Sequence, residues 1–297
     1  MNQPSPFKFV LDGHAKDLGG GFTVRRLLPS AQQQAVGPFL FFDHFGPITV
    51  NPRDNHDVRP HPHIGLSTVT YLFDGAITHR DSLGSVQVIE PGAINWMTAG
   101  SGIVHSERGP DHLREKHYVN HGIQLWAALP ESHEETPAEF IHTPAADIPS
   151  LQVGDAAVRV LVGSAFGKTS PAKTYSPAIY LDVKLPAGGV FELPPLASEL
   201  CLYAIDGDVT VDGEPLQAQM LGILAVSGQP FRIQSTSGAV RLMVLGGEPL
   251  GHRFIFWNFV SSSKERIARA SADWEAQAMG QVAGETEFIP LPARKLA

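Results

Sequence analysis

Short apolar runs, each closed by a turn, recur along this chain every ten residues or so. Ser67-Thr68-Val69-Thr70-Tyr71-Leu72-Phe73 is β-branched and aromatic, and Asp74-Gly75 after it is a hairpin signal. Asp81-Ser82-Leu83-Gly84 is a second turn, and Val86-Gln87-Val88-Ile89 a second strand. Pro91-Gly92 turns the chain into Ala93-Ile94-Asn95-Trp96-Met97, and Gly100-Ser101-Gly102 turns it again into Ile103-Val104-His105-Ser106-Glu107. His121-Gly122-Ile123-Gln124-Leu125-Trp126-Ala127 is the last strong strand of this half. Residues 1–50 read as extended segments broken by Pro and Gly, with Phe39-Leu40-Phe41-Phe42 ended by Asp43-His44-Phe45-Gly46-Pro47. Strands at this spacing predict an all-β sandwich or barrel.

The second half repeats the grammar. Leu200-Cys201-Leu202-Tyr203-Ala204-Ile205 ends in Asp206-Gly207, as the strand before Asp74-Gly75 does. Residues 130–149, rich in Pro, Glu and His, read as a connection, and shorter strands follow at Arg159–Val162 and Ile179–Val183. The expectation is two tandem barrels, 1–135 and 150–255, and a tail over 256–297. That tail contains a short helix, from Ser263 through Gln277, with Ser262 or Ser263 as its cap.

Composition agrees with this division. The chain has 297 residues, 43% apolar and 18% charged, enough for two cores. Its 29 glycines and 24 prolines suit many short strands. A net charge of −8 supplies no basic field for nucleic acid. The single cysteine, Cys201, excludes an intramolecular disulfide and reads as a buried hydrophobe, which suits a reducing compartment. Met1 to Gly21 lacks the apolar core of a signal peptide, and no segment approaches a membrane span. These features lead to the expectation of a cytoplasmic protein.

Candidate chemistry lies in the first half. Of 13 histidines, only His252 lies beyond residue 142. His61 and His63 are two apart, as are His105 and Glu107, and residues i and i+2 of a strand share a face. If the two strands face each other, the four groups form one site of three nitrogens and an oxygen. A histidine pair on a strand is also common on surfaces and in satisfied cores, and Glu107 can be a solvated strand-end carboxylate. Three imidazoles and a carboxylate suit Fe, Mn, Ni, Co, Cu or Zn and do not suit Ca or Mg. His79, Arg80 and Asp81 are candidates to support such ligands from behind, since metal-bound histidines donate their other ring N–H to a carboxylate or carbonyl. The alternative reading is a polar turn. Gln124 and Trp126 alternate on one strand face and can line a barrel mouth or fill a core. His44, His56, His112, His117, His121, His133 and His142 have no usable partner spacing and are expected at the surface or in loops.

Arg59-Pro60-His61-Pro62-His63-Ile64-Gly65, His79-Arg80-Asp81-Ser82-Leu83-Gly84 and Trp96-Met97-Thr98-Ala99-Gly100-Ser101-Gly102-Ile103-Val104-His105-Ser106-Glu107 together resemble the two-part motif of the cupins. The closer likeness, extended by His121–Trp126, is to the pirins, which are bicupins. That resemblance implies two tandem cupin barrels and one divalent transition metal, Fe(II) first among the candidates, held by His61, His63, His105 and Glu107. The general cupin pattern often has a glutamate four residues after the second histidine. Here Ser67 stands there, so Glu107 must serve. The resemblance further implies a dioxygenase that opens flavonols such as quercetin with O2, Glu107 binding the metal and taking the hydroxyl proton. Its alternative is a non-catalytic, metal- or redox-sensing regulator that binds a protein partner.

Overall fold

The computed structural model describes residues 4–18, 22–52, 54–236 and 238–293. Strands dominate these residues, and the one α-helix among them is Lys264–Glu275. One large sheet runs, neighbour to neighbour, Glu139–Thr143, Ile94–Thr98, Leu66–Asp74, Tyr118–Ala128, Phe39–Val50, Thr23–Leu28 and His14–Asp17. Its four-stranded companion runs Val58–His63, Ile103–Arg108, Ile77–Asp81 and Val86–Ile89. A second pair of sheets repeats the order strand for strand. Its large sheet runs Phe7–Asp12, Met220–Leu224, Glu199–Ala204, Val240–Gly247, Ala178–Leu185, Ala156–Val162 and Ser150–Val153. Its small sheet runs Val190–Leu193, Phe231–Ser235, Val209–Val211 and Glu214–Leu216. The fold is all-β and duplicated, with a short C-terminal helix, and each copy is an open sandwich of two sheets.

Consecutive strands keep changing sheets. Leu66–Asp74 pairs with Ile94–Thr98 and Tyr118–Ala128, whereas Ile77–Asp81 pairs with Val86–Ile89 and Ile103–Arg108. Asp74-Gly75 therefore carries the chain across the sandwich and makes no hairpin, contrary to its sequence signal. A turn signal reports a local backbone shape, and the pairing partner is set by which faces can be buried together. Asp81–Gly84, by contrast, does close a hairpin.

The compact units are not contiguous in sequence. One comprises the described residues of Met1–His14, Arg26–Phe42 and Ala146–Pro249, the other those of Ala15–Arg25, Asp43–Ala145 and Leu250–Ala297. This differs from the contiguous division at 1–135, 150–255 and 256–297. Backbone pairing is the reason. Phe7–Asp12 bonds along Met220–Leu224, with Leu11 opposite Leu221, and takes the sheet edge that Glu139–Thr143 takes in the histidine-bearing copy. The tail clusters with the histidine-bearing unit because its apolar helix face needs cover. Ile267, Ala270 and Trp274 pack with Ile64, Val104 and Phe259.

The tail is fastened to the histidine strands by polar bonds as well. Ser263 caps the helix, its hydroxyl accepting from the Arg266 N–H at 3.2 Å. Trp274 Nε1 donates to Ile289 O at 3.0 Å, and the Ile289 N–H donates to Pro60 O at 2.9 Å. Ser106 Oγ donates to Glu285, and Arg108 pairs with both Glu285 and Glu287. Pro60 and Pro62 lack an N–H, and they sit on the edge strand of the small sheet, where no sheet ladder needs one from both sides.

Gly65 joins two strands that belong to different sheets. It holds φ at 67°, and a Cβ there would stand 2.0 Å from Val260 O. Gly84 also has positive φ, at 91°, but has open space around it. Gly65→Ala is expected to cost more than the roughly 1–2 kcal/mol of left-handed backbone alone, because main chain must also move. Gly84→Ala should cost only the backbone part, roughly 1–2 kcal/mol. Urea unfolding of the two variants checks the ranking, and equal losses would contradict it.

Candidate metal centre

The small sheet of the histidine-bearing unit places the candidate ligands. His105 pairs opposite His61 across the Ile103–Arg108 and Val58–His63 strands, and Ile103 pairs opposite His63. Alternation then puts His61, His63 and His105 on one face. Their ligating nitrogens all lie within 4.8 Å of one another, and all three residues are buried. Ring centroids of His61 and His105 are 4.3 Å apart, and the Nε2 atoms of His63 and His105 are 3.1 Å apart.

Glu107 lies further along the same strand, beyond a bulge. Regular alternation would pair it with Arg59, and the bulge pairs it with Val58 instead. The structure does not bring its carboxylate into the close group formed by the three histidines. Burial pushes the Glu107 carboxyl up to about 7. An anionic side chain drawn out of water in this way gains from a nearby cation.

The partners of the rings decide their protons. Carbonyl oxygens only accept, so a ring nitrogen bonded to one carries the hydrogen. His61 Nδ1 is 2.8 Å from Arg59 O, and His63 Nδ1 is 3.2 Å from Asn258 O. Both Nε2 atoms are therefore bare. His105 is held through side chains. Asp81 Oδ2 accepts from His79 Nε2 at 3.0 Å, and His79 Nδ1 lies 3.3 Å from His105 Nδ1. With the His105 hydrogen on that Nδ1, three lone pairs converge in a buried space. This arrangement repels itself unless a cation is shared, and it fits a transition metal.

Burial drives the same way. Desolvation lowers the pKa of His61 to about 4, against the opposing bond to Arg59. His63 and His105 are pushed well below the ordinary range by desolvation, with the neighbouring rings adding to it. Neutral imidazole is the form a metal binds.

His79 and Asp81 are buried on the strand paired with that of His105, Asp81 opposite His105 itself. Phe140 stacks on His79 at 4.1 Å between centroids. Trp126 meets the His63 ring edge-on at 5.2 Å. Gln124, on the same face of its strand as Trp126, accepts from Thr70 Oγ1 at 2.8 Å. His44 and His121 depart from the surface-or-loop expectation. His44 is buried on Phe39–Val50, its Nε2 lies 2.8 Å from that of His121 on Tyr118–Ala128, and burial lowers its pKa to about 3. Strands distant in sequence bring the two together, which no local spacing signals. His142 likewise bonds Asn95, at 2.6 Å, across the Glu139–Thr143 and Ile94–Thr98 pair. The Asn258 carbonyl on His63 is also unpredicted, because main chain leaves no mark in side-chain identity.

In the other copy, Val190–Leu193 and Phe231–Ser235 hold the places of the two ligand strands. Phe191 pairs opposite Ile233 and Leu193 opposite Phe231, and all four lie in that copy's apolar core.

The histidine shifts predict an acid-sensitive metal-free protein. Between pH 4 and 6.5 the unfolded chain binds protons at His61, His63, His105 and His44 that the folded chain refuses, so stability falls as pH drops through that window. Glu107 acts with the opposite sign between 4.5 and 7, because the folded state holds its proton more tightly. Four groups outweigh one. Melting of the metal-free protein followed from pH 7 down to pH 5 checks this, and a melting point that stays level or rises on acidification would contradict it.

Comparison with known proteins agrees with the paired architecture. Residues 21–127 match the model described as "Pirin", and residues 180–280 the model described as "Pirin C-terminal cupin domain". A pirin-like protein of Caulobacter vibrioides is 47% identical over 95% of this chain and 98% of its own length. The crystal structure of quercetin 2,3-dioxygenase from Acinetobacter baumannii superposes with a TM-score of 0.89 at 31% identity, covering 97% of this chain and 96% of that one. The Escherichia coli pirin YhhW, solved in complex with nickel(II), shares the fold with a TM-score of 0.62 at 17% identity, over 81% of this chain and 99% of its own. Among the described residues no helix is long and apolar enough to cross a membrane. With both halves matched and a relative 47% identical along nearly its whole length, this chain belongs to the pirin family.

Proposed function

We propose that this chain is a metal-dependent dioxygenase that opens flavonols such as quercetin with O2. The observation that carries the reading is the convergence of three buried imidazoles, their nitrogens within 4.8 Å of one another, with Glu107 further along the strand that bears His105. The name of the A. baumannii relative supports it. His61, His63 and His105 would hold the ion, and Glu107 would complete the set. A divalent transition metal there, Fe(II) first and Mn, Ni, Co, Cu or Zn as alternatives, would supply Lewis acidity and the redox chemistry of dioxygen.

The protein groups have separate tasks. Asp81, His79, Arg59 O and Asn258 O keep protons off the ligating nitrogens. Trp126 and the Thr70–Gln124 pair would line the approach with one apolar and one polar surface, which suits a flat aromatic molecule bearing hydroxyls. Glu107 would accept the proton of the flavonol hydroxyl.

Anaerobic metal analysis followed by assays of flavonol loss and carbon monoxide release tests the reading. The chain loaded with Fe, Mn, Ni, Co or Cu should consume flavonol only when O2 is present. His63→Ala should remove both metal and turnover. Glu107→Gln keeps the shape but removes the basic site, and turnover should fall by roughly 10²–10⁴-fold even where metal is retained. Absence of turnover with every metal across a range of flavonols would reject the enzyme and leave a metal-sensing protein that acts through a protein partner.

A further inference from the structure

The three candidate ligands are not supported alike. His61 and His63 have their Nδ1–H groups fixed by main-chain carbonyls, at Arg59 and Asn258. His105 alone depends on another imidazole, which can accept its hydrogen in only one of its two neutral forms. Asp81 selects that form. Its Oδ2 takes the hydrogen of His79 Nε2, while its Oδ1 accepts from the main-chain N–H groups of Leu83 at 2.9 Å and Ser85 at 3.0 Å. Phe140 stacks on His79 with the rings only 11° from parallel and holds its plane.

We propose that Asp81 and His79 form a tautomer lock, a pair of positioning residues that keep the hydrogen of His105 on Nδ1 and so leave its Nε2 free to bind metal. This rests on the metal-centre reading above and is independent of the reaction proposed for it. The lock works by relaying hydrogen positions with no change of net charge.

Replacing Asp81 by its amide isostere shows how the relay would fail. The Leu83 and Ser85 N–H groups both need an oxygen acceptor, so the amide oxygen must stay with them. The amide NH2 then faces His79 Nε2 and donates to it. His79 must move its hydrogen to Nδ1, where it points at His105 Nδ1. His105 is forced to carry its hydrogen on Nε2, the atom that should ligate. One isosteric substitution, two side chains away, thus turns a ligand into a blocked nitrogen.

The test reads metal binding without flavonol or oxygen, with nickel(II) as the probe in competition with a chromophoric chelator. Asp81→Asn should weaken nickel binding by about 10–100-fold, the usual range for groups that support a ligand from behind. The melting point of the metal-free variant should stay near that of the unaltered protein. The decisive comparison is Asp81→Asn/His79→Phe. Its second change removes the misplaced hydrogen while keeping an aromatic ring against Phe140, so the double variant should bind nickel more tightly than Asp81→Asn alone. A structural role would instead make the two losses add. Long-range proton–nitrogen spectra of the unaltered metal-free protein provide a reading that needs no variant: His105 should carry its hydrogen on Nδ1 and His79 on Nε2. Unchanged affinity in Asp81→Asn, a double variant weaker than the single, or His105 carrying its hydrogen on Nε2 would each overturn the lock. Nickel binding that follows the expected order in a protein without flavonol turnover would uphold the lock and reject only the dioxygenase.

Discussion

A neutral imidazole has one hydrogen to place on two nitrogens, and a buried ring has no water to hide the choice. The centre of this protein has to make that choice three times in the same sense, so that three bare nitrogens meet. Each choice is enforced from outside the cluster, by an oxygen of Arg59, an oxygen of Asn258, and the Asp81–His79 pair. Much of the surrounding architecture serves those anchors. The small sheet sets the ligand spacing, and the Phe254–Phe256/Phe259–Ser261 hairpin delivers Asn258 to His63. Trp257, with φ of 54°, turns that hairpin and lies beside Trp274 of the tail helix, so the tail fixes one ligand's proton from 195 residues away.

The tail therefore belongs to the chemistry as well as to the core. Its helix covers Ile64 and Val104, the apolar neighbours of His63 and His105, and Ile289 then bonds Pro60 beside His61. Arg108, next to Glu107, is bound by tail carboxylates. A strand rich in prolines has few amides of its own with which to hold register, and these attachments supply what Pro60 and Pro62 cannot.

The sequence reveals the parts of this design that follow a local period. Spacing of two along extended chain pairs His61 with His63 and His105 with Glu107, and the run of strands and turns points to an all-β duplicated fold. The remainder depends on partners far apart in the chain. Phe7–Asp12 carries no mark of its pairing with Met220–Leu224. Asp74-Gly75 has the shape of a hairpin and the role of a crossing, because burial of both faces decided its successor's partner. His79 and Asp81 look like a polar turn until the strand behind them is known to be that of His105. The Glu107 carboxylate lies outside the close histidine group after a bulge that alternation alone does not predict.

Duplication shows what the constraint demands of a sandwich. Both copies use the same order of strands in both sheets, so the scaffold does not require the histidines. Where one copy pairs His105 with His61, the other fills the corresponding strands with Phe191, Leu193, Phe231 and Ile233. Apolar packing there needs no hydrogens to be assigned and no backbone oxygen to be aimed, and it stabilises its sheet pair without outside help. The histidine-bearing copy holds buried polar rings there instead, and each of them needs a hydrogen-bond partner. This accounts for the asymmetry of the attachments: the C-terminal tail clusters with the copy that holds the buried rings, where the Asn258 carbonyl and the apolar helix face both find partners.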